Sequence, residues 1–589
     1  MTEPVARAGR AFSANKAVLL LVAIYFTINA RWIWLYRQNN LLDIDEAGYL
    51  SMAFSYYRSL SASGLDDWFK SVFSPGIQAP IAPALASLLF WISTPSILTS
   101  FAVPLLAGVV CVLSTYWLAR CLMNAASALL AAALVASCPV LIIYTRSFHF
   151  SIPATALFTL ALVCLLRSRR FSSPLWASLF GICVGLLPLT RTMTIAFLPG
   201  LVAGAAVHTF SQRRALWPRL GLLVWSLILA SITAGTWLLG SASLVFGYLF
   251  NFGYGQQAAE YGTKKSLLSL TAWHNTLNVI LFNTYLPHAL LLLSGIIAVG
   301  CLAFWHIRRY GFAFTLNDLA RSPALPLLLI LVEAILALTS SPNSGSAFLA
   351  PILPLAIVLS VWAVDSCVNN RFAQIFSKCM GALICLTATV PLVDLFWGSA
   401  QTWIVPLPGL GIYPIVTSGK GTFQYYQENG INMATSSKSE QNYKSLSATQ
   451  RHDWMMLIEQ SSQTLRANPA AAKGGVAFGF RHYYLNPNTI RLASLIHGID
   501  LYRLYMIAPL ETEESVNGYV DWLSIKDAAG ACLLLTFSGE QGKFMPLVPD
   551  LLMEKAAKLA GFMPTQNWLA PTGQNLQLWK RDLPGNACK

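Results

Sequence analysis

Hydrophobic positions in this chain come in blocks of about twenty, close to the length a helix needs to cross a bilayer. Short polar turns separate the blocks through residue 397. The pattern predicts a first span over 17–36, after a polar stretch with Arg7, Arg10 and Lys16. A cleaved leader is the alternative. Arg31-Trp32-Ile33-Trp34 at the far end reads instead as an interfacial anchor, not a small-residue cleavage site. Further spans are predicted near 97–119, 127–144, 151–166, 175–190, 193–209, 219–240, 286–304, 324–340, 347–365 and 378–397, about 11 in all. Residues 37–96 and 241–285 read as long outer loops. Within the first, Tyr49–Leu60 suits a helix, and 80–94, apolar but short, suits a helix lying on or dipping into the membrane surface, with a true span as the alternative.

Beyond residue 397 the pattern changes. Gly475–Phe480 and Cys532–Phe537 read as buried strands, Leu551–Leu559 as a helix closed by Gly561, and 431–449 as a polar loop. The chain therefore divides into a polytopic α-helical membrane domain, 1–397, and a C-terminal extracytoplasmic α/β domain, 398–589.

Composition sharpens that boundary. Only 11% of the 589 residues are charged, against about 25% in soluble proteins. Residues 1–397 hold 11 of the 25 acids and the shorter remainder holds 14. A net charge of +14 would suit nucleic acid, but the basic residues cluster in the short loops of one side, as topology requires. That bias puts the N-terminus in the cytoplasm, and an odd number of spans puts 398–589 outside. The cysteines lack metal-ligand spacing; Cys532 and Cys588 fall in the C-terminal domain, where free thiols are favoured over a disulfide.

Against this background the run Asp43-Ile44-Asp45-Glu46, just after the first span, is the densest group of acids on the outer side. A solvated loop start is the bland reading. Outer loops elsewhere are almost free of acids, so general-base work on a substrate hydroxyl is the sharper one. Asp43 and Asp45 could also share a divalent cation, Mg or Mn, through oxygen ligands. Arg146 and Arg191 each end an outward span, against the usual topology, and a lipid phosphate is the natural partner. Snorkelling to headgroups is the alternative. Lys264, Lys265 and His274 lie in the second outer loop, and Tyr49 and His149 complete the candidate substrate contacts. Glu333, inside a predicted span, is a reserve site.

Asp45-Glu46-Ala47-Gly48-Tyr49 resembles the Asp-Glu-x-x-Tyr pattern of GT-C glycosyltransferases, in the branch of the protein O-mannosyltransferases and the lipid A aminoarabinose transferase. Gln78-Ala79-Pro80-Ile81-Ala82-Pro83 stands where that family has a Lys-Pro-Pro-Leu surface helix. Leu189-Thr190-Arg191 is similar to its Leu-Thr-Lys turn, and Phe348-Leu349-Ala350-Pro351-Ile352-Leu353-Pro354 to its Tyr-Leu-Leu-Pro-x-x-Pro segment. The resemblance covers 17–365 and has departures. No acid follows Arg146, Ala347 replaces a basic residue, and the surface-helix lysine is missing.

The resemblance implies a polyprenyl-phosphate-linked sugar donor and an extracytoplasmic glycan, lipid or protein acceptor, with inversion at the anomeric carbon. Asp45 would be the base, with Glu46 and Asp43 shaping its field or holding a metal. Arg191, helped by Arg146 or Lys264 and Lys265, would stabilise the leaving phosphate. No further cofactor is implied. The rival readings are a lipid-linked sugar flippase, which needs polar or broken helices at the midplane, and an envelope-assembly scaffold.

Overall fold

The computed structural model describes residues 3–38, 41–42, 44–211, 215–255, 258, 266–343, 345–367, 403–407, 411–416, 448–482, 484–508, 512–539, 548–581 and 588. Helix α1 (Glu3–Tyr36) leads to α2 (Ile44–Ser63), α3 (Leu65–Val72) and α4 (Ile81–Ile92). A helical bundle follows: α5 (Ala102–Arg120), α6 (Ala125–Ala136), α7 (Pro139–Thr145), α8 (Ser151–Arg167), α9 (Pro174–Thr190), α10 (Leu198–Phe210), α11 (Leu216–Tyr254), α12 (Leu270–Tyr310), α13 (Phe312–Arg321), α14 (Ala324–Ser340) and α15 (Leu353–Ser366).

Six of the described helical stretches are long and apolar enough to span a bilayer, and the bent pair α6–α7 would make a seventh. The described part thus carries at least six spans. The predicted span 378–397 lies outside the described residues. The expected straight span over 127–144 is broken, with a bend of 62°. Pro139 stands at the first position of α7; it has no N–H to donate and disfavours helix at the residue before it. A second departure is larger. The predicted loop 241–285 is mostly helix, because α11 continues to Tyr254 and α12 begins at Leu270. At 39 residues α11 is roughly 58 Å long at 1.5 Å per residue, about twice the hydrocarbon thickness. Hydropathy falls after 240, but no proline or cap stops the helix there.

The bundle packs closely where side chains are small. A Cβ on Gly181 would lie 2.3 Å from the Ser226 carbonyl oxygen, and one on Gly185 would lie 2.4 Å from that of Ala230. These glycines, one turn apart on α9, let α11 approach at backbone distance. The amphipathic α4 buries Ala82, Ala86 and Phe90 and leaves Leu85, Trp91 and Ile92 exposed. Its buried face packs on α2.

After the bundle come a hairpin, β1 (Trp403–Leu407) with β2 (Gly411–Val416), which lies against α12, and a C-terminal domain with a five-stranded mixed sheet. The sheet order is β4-β3-β5-β7-β6, from β3 (Val476–Phe478), β4 (Leu504–Met506), β5 (Leu533–Phe537), β6 (Met563–Leu569) and β7 (Asn575–Lys580). β3 pairs in parallel with β4 and β5; β5–β7 and β6–β7 are antiparallel. Both faces are covered, so β5 is buried throughout. Leu533, Leu535 and Phe537 pack with Trp454 of α16 (Ala448–Ala467) and Ile490 of α17 (Pro487–Ile496). Leu534 packs on the opposite side with Trp522 of α18 (Val516–Ser524) and Met553 of α19 (Asp550–Leu559). Gly561, with φ of +82°, follows α19 as the predicted stop. Cys532 and Cys588, read from sequence as free, are joined by a disulfide that ties the C-terminus to the start of β5.

The two parts meet at α2. Asn486 caps α17 by accepting from the amides of Asn488 and Thr489. Asn488 Nδ2 then donates to the Ile44 carbonyl (2.8 Å). The contact needs Gly48, since a Cβ there would lie 2.8 Å from that same nitrogen. Leu492 and Leu495 complete the joint in one apolar cluster with Leu50, Phe54 and Phe90.

Candidate active site

Helix α2 starts on the acidic run, with Asp45 and Glu46 in its first turn, where the helix dipole favours negative charge. Successive residues on a helix point about 100° apart, and the two acids meet opposite surroundings. Glu46 is fully buried. Its Oε2 accepts from Arg37 Nη2, and its Oε1 accepts from Ser147 Oγ (2.7 Å) and the Phe148 amide (2.8 Å). Glu46 thus ties the end of α1, the start of α2 and the turn after α7 into one knot. It is not placed to take a proton from a substrate.

Asp45 is exposed, but into a recess. Protein surrounds it so deeply that burial is the largest influence on its carboxyl and pushes it above the ordinary carboxylate range. The Arg191 guanidinium pulls it down, and Glu46 adds a smaller upward push. Arg191 follows the last residue of α9 in extended conformation and is largely buried. Its Nη1 donates to Ser151 Oγ, and its guanidinium lies 4.9 Å from the centre of the Phe348 ring. Ser151 Oγ lies 2.8 Å from His149 Nδ1, which also accepts from the Ser151 amide (3.2 Å). That geometry leaves the imidazole proton on Nε2. Burial and then Arg191 hold His149 well below the ordinary imidazole range, so the ring is neutral. Tyr49, one turn along from Asp45, stacks on Phe150 (3.8 Å) and meets His149 edge-on (5.4 Å). Tyr248, on the extension of α11, lies within electrostatic reach of both Asp45 and Arg191.

The structure therefore gathers Asp45, Tyr49, His149 and Arg191 into one recess. Arg146 points elsewhere. Its Nε donates to Asn29 Oδ1 (2.7 Å), and its guanidinium lies 4.6 Å from the Trp32 ring centre, which holds α1 against the bundle. His274 is exposed on α12, 3.4 Å from Asn278, and no contact among the described residues joins it to Asp45. Asp43, Lys264 and Lys265 lie outside the described residues. Glu333 abuts Gly200 in the bundle, and its buried Oε2 has no hydrogen-bond partner among the described residues. Sequence reasoning missed Arg37, Ser151 and Tyr248. Only Tyr248 had a readable signal, since Val245, Tyr248 and Phe252 keep helical spacing into the stretch read as loop.

Of the two candidate cation ligands only Asp45 is among the described residues. Among the described residues no three His, Cys, Asp or Glu side chains cluster in metal-binding geometry. Glu46 is occupied by Arg37, Ser147 and Phe148, and Asp45 lies within electrostatic reach of the Arg191 guanidinium.

The chain thus combines a bundle of apolar helices, an acid and an arginine near each other at the start of α2 and the end of α9, and an α/β C-terminal part. Residues 77–237 match the family model of the dolichyl-phosphate-mannose-protein mannosyltransferases. Among solved structures, ArnT from Cupriavidus metallidurans in the apo state has the same fold, at 14% identity and a TM-score of 0.53, over 96% of this chain and 98% of that one. The same protein bound to undecaprenyl phosphate aligns at 13% identity and a TM-score of 0.52, over 95% and 97%. The oligosaccharyltransferase AglB from Archaeoglobus fulgidus, in complex with an inhibitory peptide and a dolichol-phosphate, aligns at 13% and 0.50, over 97% of this chain and 75% of that one. No curated protein sequence matches the chain. The family model thus matches one stretch of the helical part, and the chain as a whole shares its fold with ArnT and AglB.

Proposed function

We propose that this protein is a membrane glycosyltransferase that moves a sugar from a polyprenyl-phosphate donor to a hydroxyl of an extracytoplasmic acceptor, with inversion. The observation that carries this reading is the open Asp45 carboxylate beside Arg191 in one recess. Asp45 takes the proton of the acceptor hydroxyl as its oxygen attacks the anomeric carbon. The bond from that carbon to the phosphate oxygen breaks, and the electron pair leaves on the phosphate. Arg191 spends one N–H on Ser151 and turns the rest of its fork to the charge that develops there. Lys264 and Lys265 are further phosphate contacts in this reading, and Tyr49 and neutral His149 orient the sugar. Charge stabilisation comes from these cations and not from a divalent metal.

The matched ArnT structure holds undecaprenyl phosphate and the AglB structure a dolichol-phosphate, which supports a polyprenyl-phosphate donor here. The Cys532–Cys588 disulfide suits an oxidising compartment, which supports an extracytoplasmic C-terminal domain and a cytoplasmic N-terminus. The test is sugar transfer from a purified polyprenyl-phosphate donor to extracted acceptor, wild type against Asp45→Asn. Transfer should fall by about 10²–10⁴-fold while donor binding survives. A flippase or scaffold has no hydroxyl to deprotonate and would tolerate the change.

A further inference from the structure

A cavity of 1120 Å³ opens between α2, α3, the 74–78 loop, α11 and the C-terminal domain. It does not contain Asp45, yet it lies on the same track. Asp45, Met52, Tyr56, Ser59 and Ser63 recur on α2 at spacings of seven, four, three and four residues. On a 3.6-residue helix those positions form one stripe, and the last four line the cavity. Helix α11 repeats the relation in reverse. Trp237 lines the cavity, and Tyr248, eleven residues further along the same face, reaches Asp45. Eleven residues also separate Asp45 from Tyr56. The cavity and the carboxylate therefore lie along the same faces of α2 and α11, with Asp45 beyond one end of the cavity. The cavity begins about 10 Å from Asp45, seven residues along α2, further than a single sugar ring reaches.

The lining has a definite chemistry. Ser55, Ser59, Ser63, Ser71, Ser74 and Gln78 give it hydroxyls and an amide, and Tyr56, Trp237 and Tyr502 supply aromatic surface. Its charges are largely cancelled. Lys70 pairs with Asp66 (2.5 Å) and Asp67 (3.2 Å), and Arg491 holds Asp500 through two bonds of 2.8 and 2.9 Å. Arg58 alone of the lining cations has no side-chain partner among the described residues. Met52, Pro75, Ile77 and Ile499 add apolar surface, but the hydroxyls and the amide interrupt it, so a prenyl chain meets no continuous apolar wall, and Arg58 is the one lining cation left for a phosphate among the described residues. Hydroxyl groups with aromatic edges suit a polyhydroxyl chain, in which polar atoms need partners and ring faces need apolar contact.

We propose that this cavity binds the neutral oligosaccharide portion of the acceptor, remote from the reacting hydroxyl. The inference rests on the glycosyltransferase reading and names its acceptor class. It also gives the C-terminal domain a task, since Arg491, Gly498, Ile499, Asp500 and Tyr502 form one wall. Specificity then lies at the joint between the domains, where Ser55 meets both Asp500 and Arg491.

The experiment uses the full chain in its native membrane. The photo-crosslinker p-benzoylphenylalanine is placed instead of Ala62, which is exposed at the cavity rim, in the Asp45→Asn background so that bound acceptor is not consumed. After irradiation, mass spectrometry of the adduct should find saccharide fragments. Adducts that carry only peptide or only phospholipid, or no adduct at all, overturn the proposal. A second variant, Ala62→Trp with Asp45 intact, narrows the mouth of the cavity. It should raise KM for extracted acceptor by about tenfold while kcat and donor affinity hold, the pattern of lost uniform binding; an unchanged KM counts against the site. The two readings fail separately. Saccharide capture without transfer by the unmodified protein sinks the transferase and leaves the cavity standing, whereas normal transfer without capture sinks the cavity alone.

Discussion

Two knots of charge stand side by side where α2 begins, and both draw on the first turn of α2 and the turn after α7. One joins Arg37 and Glu46 to Ser147 and Phe148, and it is closed. The other joins Asp45 and Arg191 to Ser151 and His149, and it is open. A single residue step on α2 separates the two acids, and a few residues after α7 serve both knots. In the closed knot both Glu46 oxygens have partners, so its charges hold elements together. The open one keeps an acid and a cation facing a recess, so its charges are available to a substrate. Adjacency in sequence therefore says little about role; the direction in which a helix position points says much more.

The sharpest way to break the comparison acts on the closed knot. Glu46→Gln removes the carboxylate that faces Arg37 and leaves a buried guanidinium without its counter-charge. Breaking a buried pair from one side costs about 3–5 kcal/mol, so the variant should melt well below wild type in thermal unfolding of the solubilised protein. Unchanged melting would move Glu46 out of the structural role.

That contrast was only half legible in the sequence. The run at 43–46 marks the site because acids are so scarce around it, and the match to Asp-Glu-x-x-Tyr marks Asp45. Nothing local separates Asp45 from Glu46, since Arg37 is as near in sequence to one as to the other and the remaining partners of Glu46 lie 101 and 102 residues away. Arg146 and Arg191 looked alike as cations at outer span ends. Tertiary packing divides them, sending Arg146 to Asn29 and Trp32. In the C-terminal domain, runs of buried residues made β3 and β5 readable, because a strand covered on both faces is apolar throughout. The cavity along α2 was unreadable, since its serines acquire meaning only when α11 and α17 close around them.

On the open knot, Arg191→Ala should weaken donor binding and lower transfer by about 10²-fold, the scale for losing one group that stabilises developing charge. Arg191→Lys should recover only part, because the planar fork is lost. Donor titration and turnover check both, and unaltered donor affinity in Arg191→Ala excludes the phosphate role.

A smaller effect concerns pH. Asp45 must be deprotonated to act as a base, and burial holds its carboxyl above the ordinary range. The acid limb of kcat/KM should therefore lie above pH about 3.9, the ordinary aspartate value. Arg191 pulls that carboxyl down, so Arg191→Ala should shift the limb to higher pH. A limb that stays put would uncouple the two residues.

The smallest expected effect is none. With Arg191 in electrostatic reach of Asp45, and Glu46 fully engaged, EDTA should leave transfer unchanged. Loss of transfer restored by Mg or Mn would instead assign a cation to Asp45 and Asp43.

Whether these neighbouring acids divide structure from chemistry is decided by measuring transfer per folded molecule and thermal unfolding together in Asp45→Asn and Glu46→Gln. Asp45→Asn should melt like wild type and lose transfer by at least about 10²-fold, while Glu46→Gln should show the large loss of stability. Near-normal transfer in folded Asp45→Asn would contradict the account and move the search for the base to Asp66 and Glu260.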